Sequence, residues 1–176
     1  MLRFWLVLWI ASIAPAQSSG NGSQQKLQIK IVNRTQLQSE ARAAFDSEMA
    51  RDKAGDCRSA RTTSEINQCL SKEMAATKTN FDAFAGKLRT LVGLGRIDTP
   101  EPPGPNGRPL TRTELLIEFD DAAAAWDKYR ESQCQAAFDQ YKSGTIAPSQ
   151  AGSCELLLRR SRMRELHGIY GFLLVN

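Results

Sequence analysis

Apolar residues recur at steps of three and four through most of this chain, and the steps fall into four runs separated by turn-forming residues. The clearest run is Ile66, Leu70, Met74, Thr77, Phe81, Phe84, Leu88 and Leu91, which marks one buried face of a helix of roughly seven turns. Thr62 and Glu65 stand ahead of it at capping-box spacing, and Gly93 and Gly95 close it. The pair Thr111 and Glu114 repeats the box and opens a second long run: Leu115, Phe119, Ala122, Trp126, Tyr129 and Ala137. This helix is expected to reach Lys142, with Gly144 as its C-cap. Upstream, Asn33 is a candidate N-cap for Leu37, Ala41, Ala44, Phe45 and Met49, in a helix ending near Gly55. Downstream, Ser153 precedes a helix with Leu156, Met163, Leu166, Tyr170 and Leu173 on its inner face. No stretch is rich in strand formers and no segment repeats. The pattern predicts an all-α fold, a small bundle of about four helices in which the two long ones run antiparallel across a connecting loop.

That loop, residues 93–110, carries Pro100, Pro102, Pro103, Pro105 and Pro109 among glycines, a composition excluded from helix interiors and central strands. It is expected to be exposed. The other end of the chain has a different character. Residues 1–16 show Arg3, an apolar run from Phe4 to Ala14 and a small-residue exit, as in a cleavable secretory signal. The run is shorter than the roughly 20 residues that span a bilayer, and no later segment resembles a transmembrane helix. Residues 17–32 read as a flexible leader, in which Leu27, Ile29 and Ile31 form either a short extended arm or a lead-in to the first helix. The helical domain is then 33–176, and the protein is expected to be exported, periplasmic or secreted.

Export changes the reading of the four cysteines. In an oxidising compartment an even count is a disulfide framework, and Cys57 with Cys69 and Cys134 with Cys154 form two sequence-local pairs. The first would pin the chain ahead of the second helix onto that helix, and the second would staple the corner between the third and fourth. Each closure stabilises by ~3 kcal/mol in the chain-entropy picture. Neither spacing suits a metal knuckle, so no metal site is expected. Trp126, Arg130 and Cys134 follow one another at steps of four with Tyr129 beside them, placing a guanidinium between an indole and a disulfide. Such an arginine needs a carboxylate. A structural clamp of Trp126, Tyr129 and Arg130 between helices is expected, with ligand contact as the alternative.

Catalytic chemistry finds little support. The one histidine, His167, has no partner motif, Asp120 and Asp121 point to different sides of a helix, and no cysteine pair has redox-active spacing. Neither an enzyme nor a cofactor is expected. The formal charge of +4 drops to +3 with Arg3, too weak and too dispersed for a nucleic-acid partner. The run Arg159, Arg160, Arg162 and Arg164 reads as a solvated face, with contact to an anionic envelope surface as the alternative.

Taken in order, Asp56-Cys57, Asn67-Gln68-Cys69, Trp126-x-x-Tyr129-Arg130-x-x-x-Cys134, Gly152-Ser153-Cys154 and Arg164-x-Leu166 resemble the LprI-type lysozyme-inhibitor domain over about Asp56 to Leu166. Phe81 and Phe84 stand where that family favours tyrosine, the proline loop is long for it, and the lipid-attachment cysteine of some members is absent. The resemblance implies an exported, cysteine-linked helical module that inhibits lysozyme or another muramidase. An envelope adaptor without inhibitory activity is the alternative. Lysozymes cleave with two carboxyl groups flanking the glycosidic bond, so a stiffened loop bearing a cation is a fitting plug. Candidate contacts are Arg108, Pro102, Pro103 and Pro105, although the same segment also suits a plain linker. A mildly basic chain gains no long-range steering toward a basic muramidase, a deficit that Glu114, Glu118, Asp120 and Asp121 would offset locally.

Overall fold

A computed structural model describes residues 21–95, 103–104 and 106–175, with side chains from residue 33 onward; residues 1–16 lie outside it. Four α-helices follow one another, α1 (Asn21–Ala54), α2 (Thr63–Leu94), α3 (Arg112–Asp139) and α4 (Ala147–Tyr170), and a 3-10 turn (Gly171–Leu173) ends the fold. Both expected capping boxes form. Thr62 caps Glu65 N–H, Thr111 caps Glu114 N–H, and each glutamate returns a bond to the cap's own N–H.

Three helix boundaries depart from the periodic pattern. α1 begins at Asn21, well ahead of the cap expected at Asn33. Residues 24–32 are mostly Gln, Lys, Leu and Ile, which a helix accepts at little cost, so from residue 21 onward helix replaces the expected flexible leader, and of the two readings of Leu27, Ile29 and Ile31 the helical lead-in is the one found. α3 stops at Asp139, and Gly144 lies in the following turn rather than capping it. α4 starts at Ala147 instead of after Ser153, because Pro148 suits a first turn whose N–H groups are unpaired anyway. Gly152 is consequently inside the helix, where it serves close packing: a Cβ there would stand 3.5 Å from Leu70 Cβ and 3.4 Å from Met74 Sδ on α2.

Contacts pair residues in opposing order across successive helices. Gly95, just past α2, and Lys87 and Thr77 within it meet Arg34, Glu40 and Glu48 of α1, while Gly93, Arg89 and Phe81 meet Leu116, Asp120 and Trp126 of α3. α2 and α3 are thus antiparallel, as the pattern predicts, and α2 packs against each of the other helices. The core gathers Phe84, Leu88, Leu91 and Met163, all fully buried, with Ala41, Phe119, Leu166, Leu173 and Leu174 around them. The final segment docks through Leu173 and Leu174, and Gln38 donates to the carbonyls of Leu173 and Val175. Among the described residues no helix is long and apolar enough to cross a membrane.

α3 buries little apolar surface, since its buried residues are Phe119, Arg130 and Cys134 alone. The expected inner row passes through Ala122 and Tyr129, but the helix is turned so that Ala123 and Arg130 face inward and those two are exposed. A helix this poor in buried hydrophobes requires other attachments. It has them in the disulfides and ion pairs of the next section.

Candidate functional site

Both local disulfides form, with Cα separations of 5.7 Å for Cys57–Cys69 and 5.4 Å for Cys134–Cys154. Cys57 lies in the α1–α2 connection and Cys69 near the start of α2. Cys154 sits inside α4 rather than at its first residue, a direct result of the earlier helix start.

Around the second disulfide, aromatic rings and guanidinium groups form a continuous stack. Arg159 of α4 lies over Phe81 at 5.6 Å, Phe81 stacks on Trp126 at 5.0 Å, and Arg130 lies over the Trp126 ring at 5.7 Å. Glu155 closes the stack by accepting from both Arg130 Nη1 and Arg159 Nε. Three helices are tied in one structure, and the charges are paired where burial would otherwise penalise them. Tyr129 takes no part in it and is 52% exposed. At about 100° per residue it sits roughly 140° around α3 from Cys134, on the outer flank, whereas Arg130 stays near the Trp126–Cys134 line.

The proline segment is more ordered than a plain linker. Pro103 and Pro109 form an isolated antiparallel bridge, Gly104 N–H donates to Arg108 O at 2.7 Å, and Gly107 N–H donates to Gly104 O. Gly107 adopts φ of +72°, a left-handed turn that a side chain would disfavour. Arg108 grips Glu114 with both terminal nitrogens, and Glu114 is the capping-box glutamate of α3. The hairpin is therefore buttoned to the helix that follows it. Arg108 and Pro103 are exposed, while Pro102 and Pro105 lie outside the described residues. Arg108, Thr111 N–H and the Thr111 hydroxyl together hold the Glu114 carboxyl down to about 2. Of the acids expected to offset the basic charge, Glu114 and Asp120 are consumed by Arg108 and Arg89, which leaves Glu118 and Asp121 for an incoming group.

A third cluster went unforeseen in the sequence. Arg160 belongs to the run read as a solvated face, yet it is 3% exposed and sits among acids from α1 and the α1–α2 connection. Its Nε donates to Glu48 at 2.7 Å, Nη1 and Nη2 grip Asp56 at 2.5 and 2.9 Å, and Nη1 reaches Asp52 at 3.3 Å. Glu48, fully buried, also accepts from Thr77 at 2.6 Å and Asn80 at 2.9 Å. Burial alone would raise its pKa, but the bonds from Thr77, Asn80 and Arg160 outweigh that and lower it. The remaining arginines of the run are also engaged: Arg159 with Glu155, Arg162 with Glu165 and Arg164 with Asp52. The detectable signal was spacing, since Leu156, Arg160 and Met163 follow steps of four and three on the inner row.

The model of the family described as Lysozyme inhibitor LprI matches residues 54–166. The chain belongs to the LprI lysozyme-inhibitor family. The matched segment contains both disulfides, the Trp126–Arg130 stack and the hairpin, so everything that defines this LprI domain locally falls within it. No curated protein and no solved structure matches the chain. Two acids of the buried network, Glu48 and Asp52, lie upstream of the match: the LprI segment is completed here by the end of α1. His167, just past the match, stacks on Phe45 at 4.3 Å as a packing residue. Among the described residues no group of three His, Cys, Asp or Glu side chains is placed to hold a metal.

Proposed function

We propose that this protein is an exported inhibitory binding module that blocks a cell-wall hydrolase of the lysozyme type. The observation that carries the reading is the family match, which spans the whole disulfide-linked unit and names that activity. The hairpin supplies a physical means. Lysozyme-type enzymes work in a concave cleft with two carboxyl groups flanking the scissile bond, so a blocker needs a convex element and a donor. The Pro103–Pro109 bridge already orders this exposed segment, which lowers the entropic cost of insertion. Arg108 enters such a cleft by exchanging Glu114 for an enzyme carboxylate, keeping a paired charge throughout. The adaptor reading gains nothing comparable, because the arginines that would meet an anionic surface are engaged internally.

The test is a muramidase lysis assay with and without the purified, oxidised protein, extended to a variant with residues 100–109 replaced by a short neutral linker. The expected result is inhibition by the native chain and its loss in the variant with helical content unchanged. Absence of inhibition at large molar excess over several lysozymes defeats the proposal; retained inhibition by the linker variant removes the hairpin from it.

A further inference from the structure

The two disulfides fasten different things. Cys134–Cys154 joins two helices already tied by Arg130 and Glu155, and Cys134 is 5% exposed. Cys57–Cys69 instead ties an irregular connection, residues 55–62, to α2, and both of its cysteines are partly accessible. No residue of that connection is buried, so the hydrophobic core does nothing to hold it. Its backbone is also unfavourable. Cys57 adopts φ of +52°, a conformation that costs a residue with a Cβ on the order of 1 kcal/mol and persists only under external constraint.

The residue beside it is Asp56, whose two carboxylate oxygens grip buried Arg160. A charge that neutralises the bundle interior is thus carried by a segment whose ends are bonded to α1 and to the Thr62 capping box, and whose middle is restrained by the disulfide and by Asp56's own grip on Arg160. Asp56 and Cys57 also line a cleft of about 450 Å³, together with Ile66, Leu70, Leu156 and Arg160.

We propose that Cys57–Cys69 is a redox-sensitive latch: a dithiol reductant opens it, the 55–62 segment lifts, Asp56 leaves Arg160, and the cleft becomes accessible while the bundle stays folded. In the step itself a reductant thiolate attacks one sulfur of the pair to form a mixed disulfide. The reductant's second thiol then displaces the protein sulfur. Two electrons and two protons pass to Cys57 and Cys69 as two thiols, and the reductant departs as its own disulfide. Release lets Cys57 leave the left-handed region and returns Asp56 to water. Arg160 keeps Glu48 and Asp52 of α1, so its charge stays paired. The selectivity follows from what holds each pair: both sulfurs of Cys57–Cys69 belong to partly accessible residues and one lies in an irregular segment, whereas in the second pair only Cys154 is partly accessible, Cys134 is buried, and both sit in helices tied by Arg130 and Glu155.

The full oxidised chain would be treated with limiting dithiothreitol, quenched by alkylation and mapped by mass spectrometry, with parallel brief trypsin digestion. Cys57 and Cys69 should be alkylated about tenfold faster than Cys134 and Cys154, and cleavage after Arg58 and Arg61 should rise by a similar factor while helix-interior sites stay protected. Equal alkylation of all four cysteines, or cleavage rising equally at every site, overturns the latch. A second measurement concerns Asp56→Asn, made in the native and in the Cys57→Ser/Cys69→Ser backgrounds. It should lower Tm in the first and leave it unchanged in the second, where Asp56 is already detached. An equal drop in both backgrounds would show that Asp56 holds Arg160 without the disulfide, and the proposal would fail.

Discussion

Replacing Arg160 by methionine tests whether the buried network contributes what its geometry implies. The substitution preserves much of the apolar stem but strips one charge partner from Glu48, Asp52 and Asp56 together. Glu48 is the decisive one. It is fully buried, and after the change it retains only Thr77 and Asn80 as close donors, with Arg51 Nε at 3.5 Å. Removing one member of a buried ion pair costs about 3–5 kcal/mol, a large share of the ~5–15 kcal/mol that holds a domain together. For a chain of this size, that corresponds to a fall in Tm of roughly 6–20 °C. The pH dependence supplies a second signature. In the native protein the Glu48 pKa is lowered, so its contribution is fully present above the unfolded value of about 4.3 and is lost as pH falls below it. Without Arg160, burial dominates and the folded pKa moves above that value. The variant should therefore lose stability as pH rises from about 4 toward 7, the opposite slope in that window. Urea denaturation of the oxidised protein at several pH values measures both effects. The double variant Glu48→Gln with Arg160→Met should recover much of the loss, because it removes the stranded charge. A cost below about 1 kcal/mol for Arg160→Met, with an unchanged pH slope, would refute the reasoning.

Arg130→Ala should destabilise by ~1.5–3 kcal/mol, since it removes a charge-assisted bond to Glu155 and one face of the Trp126 stack; Tyr129→Ala should stay within about 0.5 kcal/mol, and chemical denaturation separates them. Gly152→Ala should be neutral or stabilising by up to about 1 kcal/mol, because its Cβ meets Leu70 and Met74 at ordinary contact distance, whereas Gly152→Leu should cost ~1–3 kcal/mol by forcing α4 from α2; paired thermal melts check both. The Glu114 carboxyl should titrate near 2 by NMR, so the contribution of its lock on α3 is fully present above about 4.3 and fades only as pH falls toward 2. Arg108→Ala should move that titration back toward the usual glutamate range.

Most of the fold was legible because helices are specified by local rules. Thr62 with Glu65 and Thr111 with Glu114 satisfy backbone donors a few residues away, and the step of three and four from Ile66 to Leu91 describes a face that any packing partner must cover. The disulfides followed from the same locality, each closing within a single helix-turn-helix corner. Boundaries were harder to place. Residues 24–32 have adequate helix propensity but no strong apolar period, and α4 runs on through Gly152, which packs closely on Leu70 and Met74 of α2, a contact the local sequence does not reveal.

The acid-arginine network escaped for a different reason. Arg159 and Arg160 are adjacent and chemically identical, yet Arg159 is a stacking partner for Phe81 and Arg160 is buried within a ring of carboxylates. The difference arises only when α1 comes back beside α4, bringing Glu48 from more than a hundred positions away. Periodicity put Arg160 on the inner row, but a hydrophobic pattern counts only apolar residues and scores an inward arginine as an interruption. A charged residue on a step of three or four between inward-facing positions, such as Arg160 between Leu156 and Met163 or Arg130 between Trp126 and Cys134, is better read as a demand for an opposite charge elsewhere in the chain. On α1, Glu48 stands four residues after Ala44 and three after Phe45, on the inward row where an acid answers Arg160.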